Sequence, residues 1–505
     1  MPNTFFGLTI ATSGIYAASV NLNVTGNNAA NAATEGYSRQ KATQVAMPAL
    51  RVYQEYGTIG TGVTVTSINR VRDSFYDKKY AENQSKLGEA KGKEYHMQQI
   101  QNNLNAYDID GFTIEFTNFI KGLEEVQKKP ADMPARMAAL NSAESLMKFY
   151  QQVKTNLTLQ QQDVNAEIND YVDKINILAT DIAALNKQIN VVEMTKSPAN
   201  ELRDQRDLLI DQLSEICEVQ VSEKVYENGK TEYTVKLGTN TLVDNYDTVK
   251  LKVVSREDRL DPDDAVGLYD IEWASGEEFN PQKKGLNGML KGLIEIRDGN
   301  NGVKNAASPN SYEIDYKGIV YYIDEINKFQ DALAKAINDI HMKGQDNNGN
   351  STEDIPLYVK NDAGEYVVNP VLIEDPSKLA TRYAKYQDGS IDDGSDNTGG
   401  IDDQALIQDM RNLQTADIIE SSTCKEFLQS LVSEVAVDTL KQETLEKNYS
   451  EFQVVIQNQR LSIMGVDKDE EGMNLVKFQK AFDLNSEVIN VMQEIYDKLI
   501  NGTGV

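Results

Sequence analysis

Histidine and cysteine, the residues that most often carry catalysis or bind transition metals, are almost absent from this chain. The 505 residues contain only His96, His341, Cys217 and Cys424 of these two types. Neither histidine has a cysteine or an acidic residue at the spacing of a zinc site, so both are expected to be ordinary core or surface residues. Both cysteines are expected to be buried thiols, because sequence alone does not give the separation that a disulfide requires.

Positive charge and long apolar runs are also scarce. Lys and Arg total 50 against 78 acidic residues, which gives a net charge of -28 and argues against binding to nucleic acid or anionic membranes. No apolar run is long enough to span a bilayer. The first basic residue is Arg39, so the charged start of a secretory signal is missing. Taken alone, these features indicate a cytoplasmic protein.

Two acidic segments imitate cation sites without completing them. The segment 346–357 begins like a calcium-binding EF-hand loop, but Ser351 and Leu357 stand where the loop requires a glycine and a bidentate glutamate. The acidic run 392–403 is typical of a solvated loop. We therefore expect no enzyme activity, and no catalytic, metal-binding or cofactor-binding residue.

The two ends of the chain carry matching apolar stripes. In each stripe, apolar residues alternate at spacings of three and four, the pattern by which helices pack side by side. The stripes predict helices over 4–31 and 469–501, and their residues are the candidate assembly interface. These are Leu8, Ala11, Ile15, Ala18, Leu22, Leu475, Phe478, Phe482, Ile489, Met492, Tyr496 and Leu499. The two helices have similar lengths and are expected to be partners that pack side by side. Because glycine breaks leave each stripe few neighbours within the chain, we predict that this packing is between copies.

The same alternation over 164–192 predicts a long coiled-coil helix, and Ser197 with Pro198 predicts the start of a second helix that runs to Ile216. From Val219 the period changes to two, which indicates strands. The expected fold is α+β and mainly α, in an elongated multidomain protein.

Three domains are expected. Residues 1–60 with 465–505 form a terminal coiled-coil domain, and residues 61–215 with 402–464 form a long-helix bundle. Residues 216–401 form a β-rich insertion that faces outwards. The first two domains are discontinuous, because each is built from both ends of the chain.

Several short motifs resemble the axial flagellar protein family. The opening matches are Phe-Gly-Leu at 6–8, Ala-Thr-Ser-Gly-Ile at 11–15 and Val-Thr-Gly-Asn-Asn-Ala-Ala-Asn at 24–31. Thr-Glu-Gly-Tyr-Ser-Arg-Gln at 34–40 is similar to the hook-associated members, although the family usually has proline where Glu35 stands. Further matches are Asn-Arg-Val-Arg-Asp-Ser-Phe at 69–75, Asn-Glu-Leu-Arg-Asp-Gln-Arg-Asp at 200–207 and Asp-Glu-Glu-Gly-Met-Asn-Leu at 469–475.

The resemblance implies a secreted structural protein of the bacterial flagellum. It would leave the cell through the flagellar export apparatus without a cleaved signal, self-assemble through its terminal helices and connect hook to filament. The implied partners are further copies of itself, hook protein, a second hook–filament junction protein and an export chaperone. Two alternatives stay open at this point: a flagellar hook or distal rod protein, and a cytoplasmic coiled-coil scaffold or adaptor.

Overall fold

The computed structural model describes residues 6–51, 57–105, 109–226, 230–256, 259–277, 279–280, 286–303, 314–362, 364–384 and 404–502. Helix accounts for 62% and strand for 15% of the protein. The predicted class, mainly helical with a β-containing middle, is therefore confirmed. In the sequence, Asn228-Gly229 is typical of a hairpin turn, and the Asp-, Gly- and Ser-rich run 387–403 is typical of a linker or flexible loop; both lie outside the described residues.

Both chain ends are helical and pack side by side. Helix α1 spans Phe6–Asn31, and the last helix, α11, spans Lys468–Asn501. They run antiparallel, since Gly7 lies against Met492 and Gly14 against Asn485. A β-carbon at Gly14 would come within 2.4–2.8 Å of three side-chain atoms of Asn485, so the close approach of the two helices depends on glycine there, whereas at Gly7 it would meet only the flexible end of Met492.

A hairpin follows α1 and packs on it. Strand β1 (Gln40–Ala46) pairs antiparallel with β4 (Val63–Arg70), and between them β2 (Leu50–Arg51) pairs with β3 (Thr58–Ile59). The Val63 amide donates to Ser13 Oγ of α1 at 3.2 Å. The hairpin thus belongs to the same terminal unit as the helix pair.

Five further long helices form a bundle next to this terminal unit. They are α2 (Ser74–Asn105), α3 (Ile109–Lys128), α4 (Met133–Glu193), α5 (Asn200–Ile216) and α10 (Cys424–Met464). With 61 residues, α4 extends for about 90 Å. The heptad over 164–192 covers only its second half, and its apolar stripe is buried within the chain.

The middle of the chain adds small sheets and helices. Strands β5 (Val219–Val225), β6 (Thr231–Leu237), β7 (Asn240–Asp244) and β8 (Asp247–Thr248) form an antiparallel sheet in that order, and β9 (Leu251–Ser255) pairs with β10 (Tyr269–Trp273). Helices α6 (Met289–Asp298) and α7 (Ile319–His341) follow. Side chains of α4 form hydrogen bonds with the backbone of these strands. Asn190, for example, accepts from the Thr231 amide and donates to the Thr231 carbonyl.

The remaining elements return the chain to the bundle. They are β11 (Gly344–Gln345) paired with β14 (Arg382–Tyr383), β12 (Tyr358–Lys360) paired with β13 (Tyr366–Val368), α8 (Pro370–Glu374), a 3-10 turn (Pro376–Lys378), α9 (Ala405–Asn412), and β15 (Asp417–Ile419) paired with β16 (Ser422–Thr423). A buried apolar cluster runs from Met97 to Val435 and includes side chains of both the bundle and the middle.

Two local predictions are wrong. Helix α5 begins at Asn200 after Ala199, without a side-chain cap, so Ser197 and Pro198 do not start it. The Asn200 side chain instead donates to the Ile68 carbonyl at 2.9 Å, which fixes the helix start by a tertiary contact. The spacing of Leu445, Tyr449, Phe452 and Ile456 predicts that they share one apolar stripe, but the Phe452 side chain is 61% exposed on α10.

Candidate assembly surface

Helices α1 and α11, which carry the predicted interface residues, pack against each other within one chain. Ala11 and Ala18 are 2% and 4% exposed, and the larger residues of both stripes are half-buried, except Leu499, which is 52% exposed. Small residues of α1 therefore lie opposite large residues of α11, which lets the two helices approach closely. A direct contact of these residues with another copy stays a prediction.

A second apolar stripe of α11 was missed at the sequence level. Leu484, Val488, Val491 and Ile495 are 63%, 44%, 49% and 45% exposed. They follow spacings of four, three and four, so the signal was present in the sequence. At about 100° per residue this stripe lies roughly a third of a turn away from the first one. Below, we call it the outer stripe.

The exposed face of α1 has a different character. Its exposed residues Tyr16, Asn23 and Ala30 recur every seven positions, and Tyr16 is 70% exposed. The helix contains no charged residue in its 26 positions. In a protein of net charge -28 this face can meet another copy without electrostatic repulsion.

Buried ion pairs join the terminal unit to the bundle. Ser38 donates from its amide and its hydroxyl to Asp204 at 2.9 and 2.6 Å, and Arg70 bonds both Asp204 and Asp207 at 2.7 Å. Burial alone would raise the pKa of Asp207, but Arg72 and Arg70 bring it below its ordinary value. The motifs at 34–40, 69–75 and 200–207 thus meet at one place.

The bundle side of this network ends at α10. Arg72 and Arg460 both bind Asp77, at 2.8 and 2.7 Å, and Arg460 also binds Asp211 at 2.6 Å. Burial raises the pKa of Asp211 to about 6 in spite of Arg460. The network therefore runs through α2, α5 and α10.

The residue types that could carry catalysis or bind a metal are buried here and have structural roles. The pKa of His341 is lowered to about 4 by burial; its Nδ1 donates to the Ile355 carbonyl, and its Nε2 accepts from the Ala380 amide. Asp346 accepts from the amides of Asn348 and Asn350, so its carboxylate closes a turn. Both cysteines are buried and free of a disulfide.

One group of carboxylates among the described residues has the geometry to hold a cation. Oxygen atoms of Asp261, Asp263 and Asp324 lie within 4.8 Å of one another. Asp263 already pairs with Lys154 at 2.5 Å. Burial, together with Asp261 and Asp263, raises the pKa of Asp324 to about 7.

The raised pKa of Asp324 predicts a pH dependence of stability. A folded-state pKa above the unfolded value near 4 means that the folded protein binds more protons between about pH 4 and 7, so this group destabilises the fold increasingly as pH rises through that window. After a discount for solvent screening, we expect Asp324→Asn to raise the free energy of unfolding at pH 7 by about 1–2 kcal/mol.

Urea denaturation at pH 5 and pH 7.5 measures this effect. The gain from Asp324→Asn should be larger at pH 7.5. The matched control is Asp339→Asn, an exposed carboxylate on the same helix, which should change little at either pH. A gain that is equal at both pH values would contradict the assignment.

No helix in the part of the chain that the structure describes is both long and apolar enough to cross a membrane.

Two models of known protein families match this chain. Residues 97–355 match the model described as the flagellar hook-associated protein FlgK helical domain, and residues 457–502 match the flagellar basal body rod FlgEFG protein C-terminal model.

Curated relatives match over nearly the whole chain. Flagellar hook-associated protein 1 of Bacillus subtilis is 27% identical, with 100% of this chain and 99% of the relative covered. Its namesake from Escherichia coli is 25% identical, with 97% and 98% covered.

A solved structure supports the fold. The flagellar hook junction protein FlgK from Burkholderia pseudomallei matches with a TM-score of 0.56 at 14% identity, covering 76% of this chain and 100% of that one. The family resemblance drawn from the short motifs is therefore confirmed: the chain belongs to the FlgK family of flagellar hook-associated proteins, which are structural proteins of the bacterial flagellum.

Proposed function

We propose that this protein is a non-enzymatic junction subunit that self-assembles through its terminal helix pair and connects the flagellar hook to the filament. Full-length similarity to proteins named flagellar hook-associated protein 1 supports this role over hook protein, rod protein or a cytoplasmic scaffold. The observation that carries the assembly mechanism is the outer stripe, which a helix pair of one chain leaves exposed.

The partner of the outer stripe is the exposed face of α1 in a neighbouring copy. At 1.5 Å per residue, α1 is about 39 Å long, and the outer stripe from Leu484 to Ile495 extends over about 17 Å of α11, so α1 is long enough to cover all of it. Contact between two α11 helices is less favourable, because α11 carries seven acidic residues against four lysines. The uncharged face of α1 brings no such repulsion.

This contact joins two different faces and therefore propagates. A heterologous contact that does not close on itself gives an open helical arrangement, as a tubular axial structure requires. The predicted stripe would then hold α1 and α11 of one chain together, while the outer stripe joins successive copies. Both sets of residues form the proposed assembly surface.

The ends of this assembly would meet other flagellar proteins. We carry over hook protein on one side and a second hook–filament junction protein on the other from the family resemblance. Export through the flagellar apparatus, with the help of a chaperone, belongs to the same proposal. The bundle and the middle of the chain would lie outside the tube, where an acidic surface stays solvated.

Val488→Asp tests the outer stripe. An aspartate there would be desolvated in the contact between copies, at a cost of about 2 kcal/mol or more at every repeat. We expect normal helix content and melting of the isolated chain, together with loss of the protein from flagella. Electron microscopy and immunoblots of purified flagella measure that loss.

The matched control is Asn490→Asp. This exposed position lies two residues further along α11, outside the outer stripe, and receives the same charge. It should be incorporated normally. If Val488→Asp is also incorporated, the outer stripe is not a contact between copies.

A further inference from the structure

Two short connections link the helix pair to the bundle. One is residues 71–73, which join the β1–β4 hairpin of the terminal unit to α2, and the other is residues 465–467, which join α10 to α11. The backbone of Arg39 ties both to the bundle, since its amide donates to the Met464 carbonyl at 2.8 Å and its carbonyl accepts from the Val71 amide at 2.7 Å. Arg39 therefore lies where the terminal unit meets the rest of the protein.

The Arg39 side chain holds the start of α11. Its Nε donates to Glu471 at 2.7 Å, and its two terminal nitrogens donate to the two oxygens of Glu470 at 2.7 and 3.1 Å. Glu471 is only 1% exposed. A buried carboxylate that loses its cation is strongly destabilised, so this contact resists breaking. Asp467 caps α11, because its side chain accepts hydrogen bonds from the Asp469 and Glu470 amides. The Glu470 carboxylate bonds Arg39.

The contact continues into the bundle. Ser38, next to Arg39, bonds Asp204 of α5, and from there the network passes through Arg70, Asp207, Arg72, Asp77 and Arg460. The peptide bond between Ser38 and Arg39 thus links the ion pairs at the first turn of α11 to a network of charged side chains on α5, α2 and α10. The four motifs at 34–40, 69–75, 200–207 and 469–475 each supply a member.

Side chains do not fill all of the space between the terminal helix pair and the bundle. A cavity of about 810 Å³ lies beside Arg39, lined by residues 31–37, by the end of α10 and the connection up to Asp467, and by Leu208 and Asp211 of α5. Because solvent rather than side chains occupies this cleft next to the three-residue connection 465–467, the helix pair has room to tilt. Directed ion pairs are what oppose such a tilt.

We propose that Arg39 is a positioning residue, whose ion pairs with Glu470 and Glu471 fix the angle between the terminal helix pair and the bundle. A fixed angle presents the assembly surface of each copy in one orientation, a consequence that rests on the proposed function. Arginine suits the role because its planar guanidinium reaches both carboxylates at once, which a lysine cannot do.

Distances between spin labels in the dilute full-length chain test the angle directly. Tyr16→Cys on α1 and Tyr95→Cys on α2 provide label sites, as these side chains are 70% and 54% exposed. The native Cys217 and Cys424 are 1% and 0% exposed, so labels react at the introduced sites. We expect one narrow distance in the parent chain, its loss in Arg39→Ala and in Glu471→Gln, and a partly retained peak in Arg39→Lys.

Lys41→Ala removes an exposed cation two residues away and should keep the narrow distance. Bundle melting should be unchanged in all these variants. A narrow distance in both Arg39→Ala and Glu471→Gln would overturn the proposal, and so would bundle melting that falls together with the angle. A broad distance with normal incorporation into flagella would overturn its consequence for assembly. Because the distances are measured in single chains, they test the angle even if the proposed function fails.

Discussion

Ile489→Asp should remove the protein from flagella while leaving its bundle folded. Ile489 is half-buried on the stripe of α11 that faces α1, between Asn485 and Met492, which contact Gly14 and Gly7. A charge in this seam costs about 2–4 kcal/mol, enough to separate two helices that are held mainly by each other. Cells that carry the variant should shed filament subunits into the medium and swim poorly.

The contrast variant is Val235→Asp. Val235 is fully buried in the central strand β6, so a charge there should damage the folding of the middle of the chain before any assembly step. Circular dichroism melting of the two purified variants separates these effects. If Ile489→Asp unfolds the whole chain, or is incorporated normally, the helix pair is not the unit of assembly proposed above.

Asp298→Asn should cause the largest loss of stability that we expect from an isosteric change. Asp298 lies at the end of α6 between two buried guanidiniums: Arg297 at 2.6 Å and Arg256 at 2.7 Å. Loss of its charge leaves both cations facing each other in the core, at a cost of about 3–5 kcal/mol. We expect the main melting transition to fall by roughly 5–10 °C.

Asp298→Asn should also change the pH dependence of stability. Burial alone would raise the pKa of Asp298, but the two arginines hold it far below its ordinary value. Its contribution to stability is therefore complete above the unfolded pKa near 4 and is lost as pH falls below that value. In Asp298→Asn, the acid side of the stability profile should be flatter than in the parent chain.

Asp270→Asn is the matched control. Asp270 also bonds Arg256 at 2.7 Å, but its side chain is 44% exposed, so its charge is solvated in either state. We expect a loss below about 1 kcal/mol. Equal losses for the two variants would mean that burial of Asp298 does not govern its contribution.

Local order was largely predictable from the sequence. The three-and-four alternation predicted the helices at both ends within a few residues, because it records which side of a helix is apolar. The change of period after Val219 predicted the strands β5 and β6 for the same reason. Residues 24–40 also carried a family resemblance that the comparisons confirm.

Partner choice was decided only by tertiary structure. An apolar stripe shows that a face requires a neighbour but does not identify it, so the seam that we expected between copies lies opposite a helix of the same chain. The outer stripe, equally regular in sequence, is the one left exposed.

Long-range polar contacts were likewise beyond the sequence. Ser38 meets Asp204 across 166 residues, and Arg39 meets Glu471 across 432, and no local pattern encodes such a pairing. The sequence by itself determined which residues form helices and strands, because that depends on neighbours a few positions away. The tertiary structure decided which faces and charges meet, because that depends on how distant segments share one volume.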